Sequence, residues 1–140
     1  MDIKMTSEEL HRFLLDVFPQ IGSRIRATKL FSGGIHTVML IDEENLRPGG
    51  TVSGPAMFTL ADCTFYMAIL AHIGPEALTV TTSCSIDFFR KPPADDLRAE
   101  GRLLKLGRTL AVGDVMIFGA EDDRPVAHAN LTYSIPRARS

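Results

Sequence analysis

Residues 49–72 read GGTVSGPAMFTLADCTFYMAILAH. Within this stretch Ser53-Gly54-Pro55 has the chemistry of a helix start, because serine is a favoured cap and proline suits the first helical positions. Gly74-Pro75 supplies the stop. The pattern predicts one helix over 55–71, apolar on almost every face. A helix of that kind belongs in a core or in a membrane. A bilayer span needs ~20 apolar residues, and this run is shorter, so a core helix is predicted. It carries a single acid, Asp62. Burying a lone carboxylate is costly, so Asp62 needs a partner or a chemical task. Its neighbours three and four residues away are Phe58, Thr59, Phe65 and Tyr66, and the hydroxyls of Thr59 and Tyr66 are candidate partners.

Upstream, Thr6-Ser7-Glu8-Glu9 has the form of a capping box. Leu10, Phe13, Leu14 and Val17 follow at helical spacing until Pro19, which predicts an amphipathic helix over 7–18. Residues 24–31 and 35–42 read as strands around a Ser32-Gly33-Gly34 turn, and 45–50 as loop. Downstream, 78–89, 97–106, 109–118 and 125–135 read as four strands. Short turns between them predict an antiparallel meander. Leu97, Ala99, Gly101, Leu103 and Lys105 are expected on one face. A sheet of this size must cover one side, and only the 55–71 helix is apolar enough to fill it. Met57, Phe58, Phe65, Met67 and Ile69 are therefore expected in the core.

The chain has 140 residues, 45% of them hydrophobic, and a net charge of −2. That is one domain's worth of sequence with a sizeable core, and a single domain over 1–140 is expected. No basic stripe points to a nucleic acid. Cys63 and Cys84 cannot make a disulfide framework and are expected to be reduced and buried. MDIKMTSEEL holds no apolar signal region, so a cytoplasmic protein without a membrane segment is expected. No His/Cys/Asp spacing resembles a metal site.

The order of these elements resembles the hotdog fold, an α+β architecture in which a curved antiparallel β-sheet wraps one long central helix. Here an N-terminal helix is added. The match is nearest to acyl-CoA thioesterases of the phenylacetate-degradation type. Their signature is Gly-Thr-Val-His-Gly-Gly at the helix start, with a carboxylate nine residues after the His. Gly50-Thr51-Val52-Ser53-Gly54-Pro55 stands in that place and Asp62 at that offset. Ile86 to Pro92, Gly107-Arg108-Thr109-Leu110-Ala111 and Ala127 to Tyr133 continue the resemblance, which spans residues 24 to 135.

The resemblance implies hydrolysis of an acyl-CoA or aroyl-CoA thioester to free acid and CoA. Asp62 would be nucleophile or general base, and the Gly54 amide, at the positive end of a helix, the oxyanion donor. Pro55 has no N–H and cannot assist. Ser53 replaces the family's positioning His; it either caps the helix or holds a water. Thr82, with Thr81 beside it, stands where relatives place a water-orienting hydroxyl, although threonine is also simply common in strands. Arg47, which replaces a loop Asn, together with Pro55, Arg90, Lys91, Arg108 and Thr109, marks the expected CoA-binding neighbourhood, where Arg and Lys suit phosphate. No metal or separate cofactor is implied, since coenzyme A is part of the substrate. A homodimer with shared sites is implied, and a homotetramer built as a dimer of dimers. The alternative is a hotdog protein that binds an acyl or aromatic ligand without turning it over, because Ser53 and Pro55 depart from the signature.

Overall fold

The computed structural model describes residues 1–137. Helix α1 (Ser7–Val17) carries the predicted capping box, with Thr6 and Glu9 bonded reciprocally. Pro19 stops α1 and at once opens a one-turn helix, α2 (Pro19–Gly22). Strands β1 (Ile25–Phe31) and β2 (Gly34–Met39) form the expected hairpin. The second is shorter than predicted, because the chain leaves the sheet for a 3₁₀ turn at Glu43–Asn45. Helix α3 (Gly54–Ile73) follows, and then β3 (Val80–Phe88), β4 (Leu97–Leu106), β5 (Leu110–Gly119) and β6 (Pro125–Ser134).

Ser53 caps α3 by accepting the Ala56 N–H at 3.2 Å, and Gly74 ends the helix at φ 96°, where its N–H reaches the Leu70 carbonyl. The helix has 20 residues, so the length argument against a membrane span does not hold; by length and composition α3 could cross one. Burial identifies it instead. Fourteen of its residues are buried, and all six strands contact it. Its residues Leu60, Phe65, Ile69 and Leu70 have no exposed surface. This is the hotdog arrangement, a six-stranded antiparallel sheet around a central helix.

The strand order is β1-β2-β4-β5-β6-β3. Only β4-β5-β6 is the meander predicted. β3 crosses to the far edge and pairs with β6, because the segment after it is held elsewhere. Pro92 accepts the Val52 N–H, and Thr51 bridges Pro93. That stitch carries the chain past the start of α3 before β4 begins. On β4, Leu97, Ala99, Gly101 and Leu103 face the helix, but Lys105 is exposed. A bulge between Leu103 and Lys105 breaks the alternation there. Cys63 is buried and Cys84 only half-buried, and both are free thiols. Phe58, expected in the core, is 39% exposed, because its side of α3 lies over the open β3 edge.

The close approach of α3 to the sheet depends on Gly113. A Cβ there would fall onto the Arg102 carbonyl oxygen and lie 2.5 Å from Cε1 of the fully buried Phe65. Gly113→Ala is therefore expected to cost about 3 kcal/mol and to lower Tm by roughly 10 °C. Thermal unfolding followed by circular dichroism checks this. A Tm within about 2 °C of the parent would show that helix and sheet are less tightly apposed than described.

Candidate active site

Asp62 leaves α3 two turns after its start, at the edge of the sheet formed by β3 and β6. It is half-buried in a single chain, not sunk in the core. Two hydroxyls hold its carboxylate. Thr81 donates to Oδ1 at 2.6 Å, and the Tyr133 phenol lies 2.7 Å from the same oxygen and 2.9 Å from the Asp62 carbonyl. Burial first, and then the Asp62 charge, push the Tyr133 phenol far up, so it remains a donor. Among the described residues nothing donates to Oδ2, which leaves one carboxylate oxygen available for chemistry.

These partners are not the two expected on the helix. The Tyr66 hydroxyl donates to the Ala77 carbonyl instead. Thr81 and Tyr133 are cross-strand neighbours, so β3 and β6 present them together. Sequence reasoning passed over Tyr133. Its signal was the run Ala127, Ala129, Leu131, Tyr133, an inward-facing alternation that ends on a phenol needing a partner. Thr82 does not meet Asp62. A bulge between Thr81 and Ser83 re-aims it, and its hydroxyl donates to the Thr132 carbonyl at 3.1 Å. The hydroxyl beside the acid therefore belongs to Thr81.

A cleft of about 380 Å³ opens in front of Asp62, lined also by Phe18, Cys63, Tyr66, Thr79 and Thr81. Burial, then the Asp62 charge, push the Cys63 thiol up to about 12, so it stays a thiol and offers no nucleophile.

The other expected residues gather at the N-terminus of α3. A second cleft, of about 390 Å³, brings Arg47, Gly54, Arg90 and Lys91 together with Phe88 and Phe89. The loop carrying Arg47 turns through Gly49 and Gly50, at φ 102° and 80°, conformations that L side chains resist. It is pinned by Ser53 N–H to the Asn45 carbonyl and by the Leu46–Val52 bridge. In the first turn of α3, Ala56 N–H is taken by the Ser53 hydroxyl and Pro55 has none. The Gly54 N–H has no acceptor within the helix and borders this cleft. Ser53 is thus engaged as a cap. Pro55 lines a shallow apolar groove with Phe58, Ile86 and Phe88, which adjoins the cleft at Gly54.

Arg108 and Thr109 are not part of either cleft. They form the β4–β5 turn, where Ile135 N–H reaches the Thr109 carbonyl. The Arg90 end of the sheet, where Phe89 N–H meets Val126, is the opposite one.

Gly54 and Asp62 are eight residues apart on one helix, which is about 12 Å along its axis. One thioester carbonyl must lie within about 3 Å of both its attacking group and its oxyanion donor. The Asp62 carboxylate and the Gly54 amide of one chain are therefore too far apart to meet the same thioester carbonyl.

Residues 49–126 match the family model described as the thioesterase superfamily, which is more than half of the chain. The chain belongs to the thioesterase superfamily. A Silicibacter sp. TM1040 crystal structure, described as a candidate thioesterase, is 50% identical with a TM-score of 0.89, over 97% of this chain and 95% of that one. Zebra fish thioesterase superfamily member 2 has a TM-score of 0.82 at 21% identity, over 95% of this chain and 100% of its own. A hypothetical thioesterase of Streptococcus pneumoniae, solved with coenzyme A, has a TM-score of 0.74 at 24% identity, over 96% and 100%. At these identities the last two superfamily structures show the shared fold. Among curated proteins none matches the chain.

Proposed function

We propose that this protein, a thioesterase of the phenylacetate-degradation type, hydrolyses acyl-CoA or aroyl-CoA thioesters as a cytoplasmic hotdog domain that acts at least as a homodimer. The observation that carries the reading is the carboxylate of Asp62, anchored through Oδ1 by Thr81 and Tyr133 with Oδ2 left open to a cleft. A thioester is already activated, so a carboxylate and an oxyanion donor suffice. In one route Oδ2 attacks the carbonyl carbon, CoA leaves as thiolate, and water opens the resulting anhydride. In the other, Asp62 takes a proton from water as the water attacks, and the collapsing adduct expels CoA, which receives the proton. In both, the Gly54 N–H stabilises the oxyanion. CoA enters as part of the substrate, and neither route needs a metal or a further cofactor.

The shared site follows from the distance between Gly54 and Asp62 in one chain. β3 ends the sheet with its outer edge unpaired, and Leu78, Val80, Phe88 and Phe89 on or beside it are exposed, Leu78 by 74%. An apolar open edge invites pairing. A second copy docked there covers it and brings its own Gly54 to the Asp62 of the first. Arg47, Arg90 and Lys91 are then placed for the CoA phosphates. Arg108 and Thr109 lie at the Tyr133 end of the sheet, away from Arg47, Arg90 and Lys91 of the same chain, and a dimer of dimers would let them meet a substrate held by other chains. The coenzyme A held by the Streptococcus pneumoniae protein supports this substrate class.

The test is a panel of aliphatic and aromatic CoA thioesters with a thiol reagent. Release of CoA well above buffer, lost in Asp62→Asn, is expected. Ligand-induced melting shifts without release would support the ligand-binding alternative, for which the one-donor helix start speaks, since Pro55 supplies no second N–H.

A further inference from the structure

Two hydroxyls bond the same carboxylate oxygen of Asp62, and they are not equivalent. Thr81 lies on β3, the edge strand, immediately before the bulge that separates it from Ser83. It is exposed, so water competes for its bond to Oδ1. Tyr133 lies on β6, inside the sheet, opposite Ala111 of β5 on one side and Thr81 of β3 on the other. It is buried, and its ring meets Phe65 edge-on at 5.5 Å and Tyr66 at 6.3 Å. Strands on both sides and two packed rings hold the phenol in place, and close packing leaves it little room to move.

The phenol grips Asp62 at two points. Its oxygen lies 2.7 Å from Oδ1 and 2.9 Å from the main-chain carbonyl oxygen of the same residue. Its one hydrogen is therefore shared between a charged side chain and the backbone that carries it. A charge-assisted bond in a shielded place is a strong one. Any other staggered rotamer of Asp62 carries Oδ1 off the phenol and gives up that bond. With Oδ1 held, Oδ2 is the oxygen left to the cleft. Phenylalanine has the same ring and would pack against Phe65 and Tyr66 equally well, so packing does not account for the hydroxyl.

We propose that Tyr133 is a positioning residue for the hydrolysis: its hydroxyl ties the Asp62 carboxylate to the backbone of α3 and fixes the rotamer in which Oδ2 meets the thioester or its attacking water. This rests on the reading of Asp62 as the reacting carboxylate. Reacting atoms must stand ~3–3.5 Å apart and aligned, and a misplacement of ~1 Å can cost about a hundredfold. Tyr133 acts through Asp62 and not on the substrate, so its loss falls on kcat and leaves KM alone.

The test is Tyr133→Phe, which keeps the ring and removes the hydroxyl, assayed on the panel of CoA thioesters. kcat is expected to fall by about tenfold to a hundredfold, with KM within about twofold of the parent. Tm should move by only a few degrees, since the ring stays packed. In the crystal structure of the variant the Asp62 carboxylate should occupy more than one rotamer. A kcat within about twofold of the parent would overturn the inference. So would a rise in KM that accounts for the whole loss, or an Asp62 that keeps a single, unchanged rotamer. Thr81→Val serves if Tyr133→Phe does not fold. It removes the exposed anchor and leaves the phenol, so its crystal structure should show Asp62 in the parental rotamer, and a displaced carboxylate there would equally overturn the inference. Asp62→Asn, run on the same substrates, separates the two readings. If it abolishes hydrolysis and Tyr133→Phe behaves as the parent, only the role of Tyr133 fails. If the parent hydrolyses no member of the panel, the thioesterase reading fails and this inference with it.

Discussion

Asp62→Asn is expected to lower kcat for thioester hydrolysis by about a thousandfold while leaving the fold intact. The substitution keeps the shape of the side chain and an oxygen that can accept from Thr81 and Tyr133, whose hydroxyls now meet Oδ1 at 2.6 and 2.7 Å. It removes the charge and the basicity that either chemical route requires. Tm should therefore move by only a few degrees, which separates lost chemistry from lost structure. Asp62→Ala is the harsher variant. It leaves the Tyr133 phenol, in a residue only 3% exposed, without its carboxylate, and should cost stability as well, about 1–3 kcal/mol. Steady-state kinetics with thermal unfolding check both. An Asp62→Asn protein that keeps more than about a tenth of the parental kcat would remove the carboxylate from the reaction, given the size of effect expected for a general base.

Gly54→Pro should be the next most damaging change, lowering kcat by about a hundredfold or more. It deletes one N–H and adds a Cβ to a helical residue before Pro55, a backbone cost that Gly54→Ala shares. Proline is favoured at the first position of a helix, and Ser53, at φ −76° and ψ 157°, already has the extended backbone that a following proline requires. The added carbon meets the Phe88 ring at 3.5 Å, an ordinary contact. Gly54→Ala adds a similar carbon but keeps the N–H, so it should lose far less activity. Equal activity in the two variants would mean that the Gly54 amide does not bear on the oxyanion.

The elements themselves were largely legible. Ser53, Pro55 and Gly74 punctuate α3 to within two residues of its observed ends, because caps and breakers act locally. The breaker run Lys91 to Asp96 and the Gly107-Arg108 turn bounded β4 at Leu97 and Leu106. What local pattern did not contain was the position of β3 at the far edge, which depends on the contacts of Pro92 and Pro93 with Val52 and Thr51. The carboxylate shows the same division. Its place on the helix could be counted along the chain, but its partners come from two strands and not from the next helical turn. The bulge after Thr81 likewise decided which threonine meets it, and a period of two cannot reveal a bulge. The separation of Gly54 from Asp62, by contrast, follows from helix rise alone, and the proposal of a site shared by two chains rests on that separation.

That last point is the centre of the account, and mixing inactive variants tests it most directly. Asp62→Asn and Gly54→Pro proteins, each purified, would be combined in equal amounts, dissociated with mild denaturant and allowed to reassociate. If one chain supplies the carboxylate and its partner the amide, half of the dimers are mixed, and each mixed dimer holds one intact site of two. About a quarter of the parental activity should then return. A mixture that stays at the level of its two inactive components after exchange of subunits would contradict the shared site.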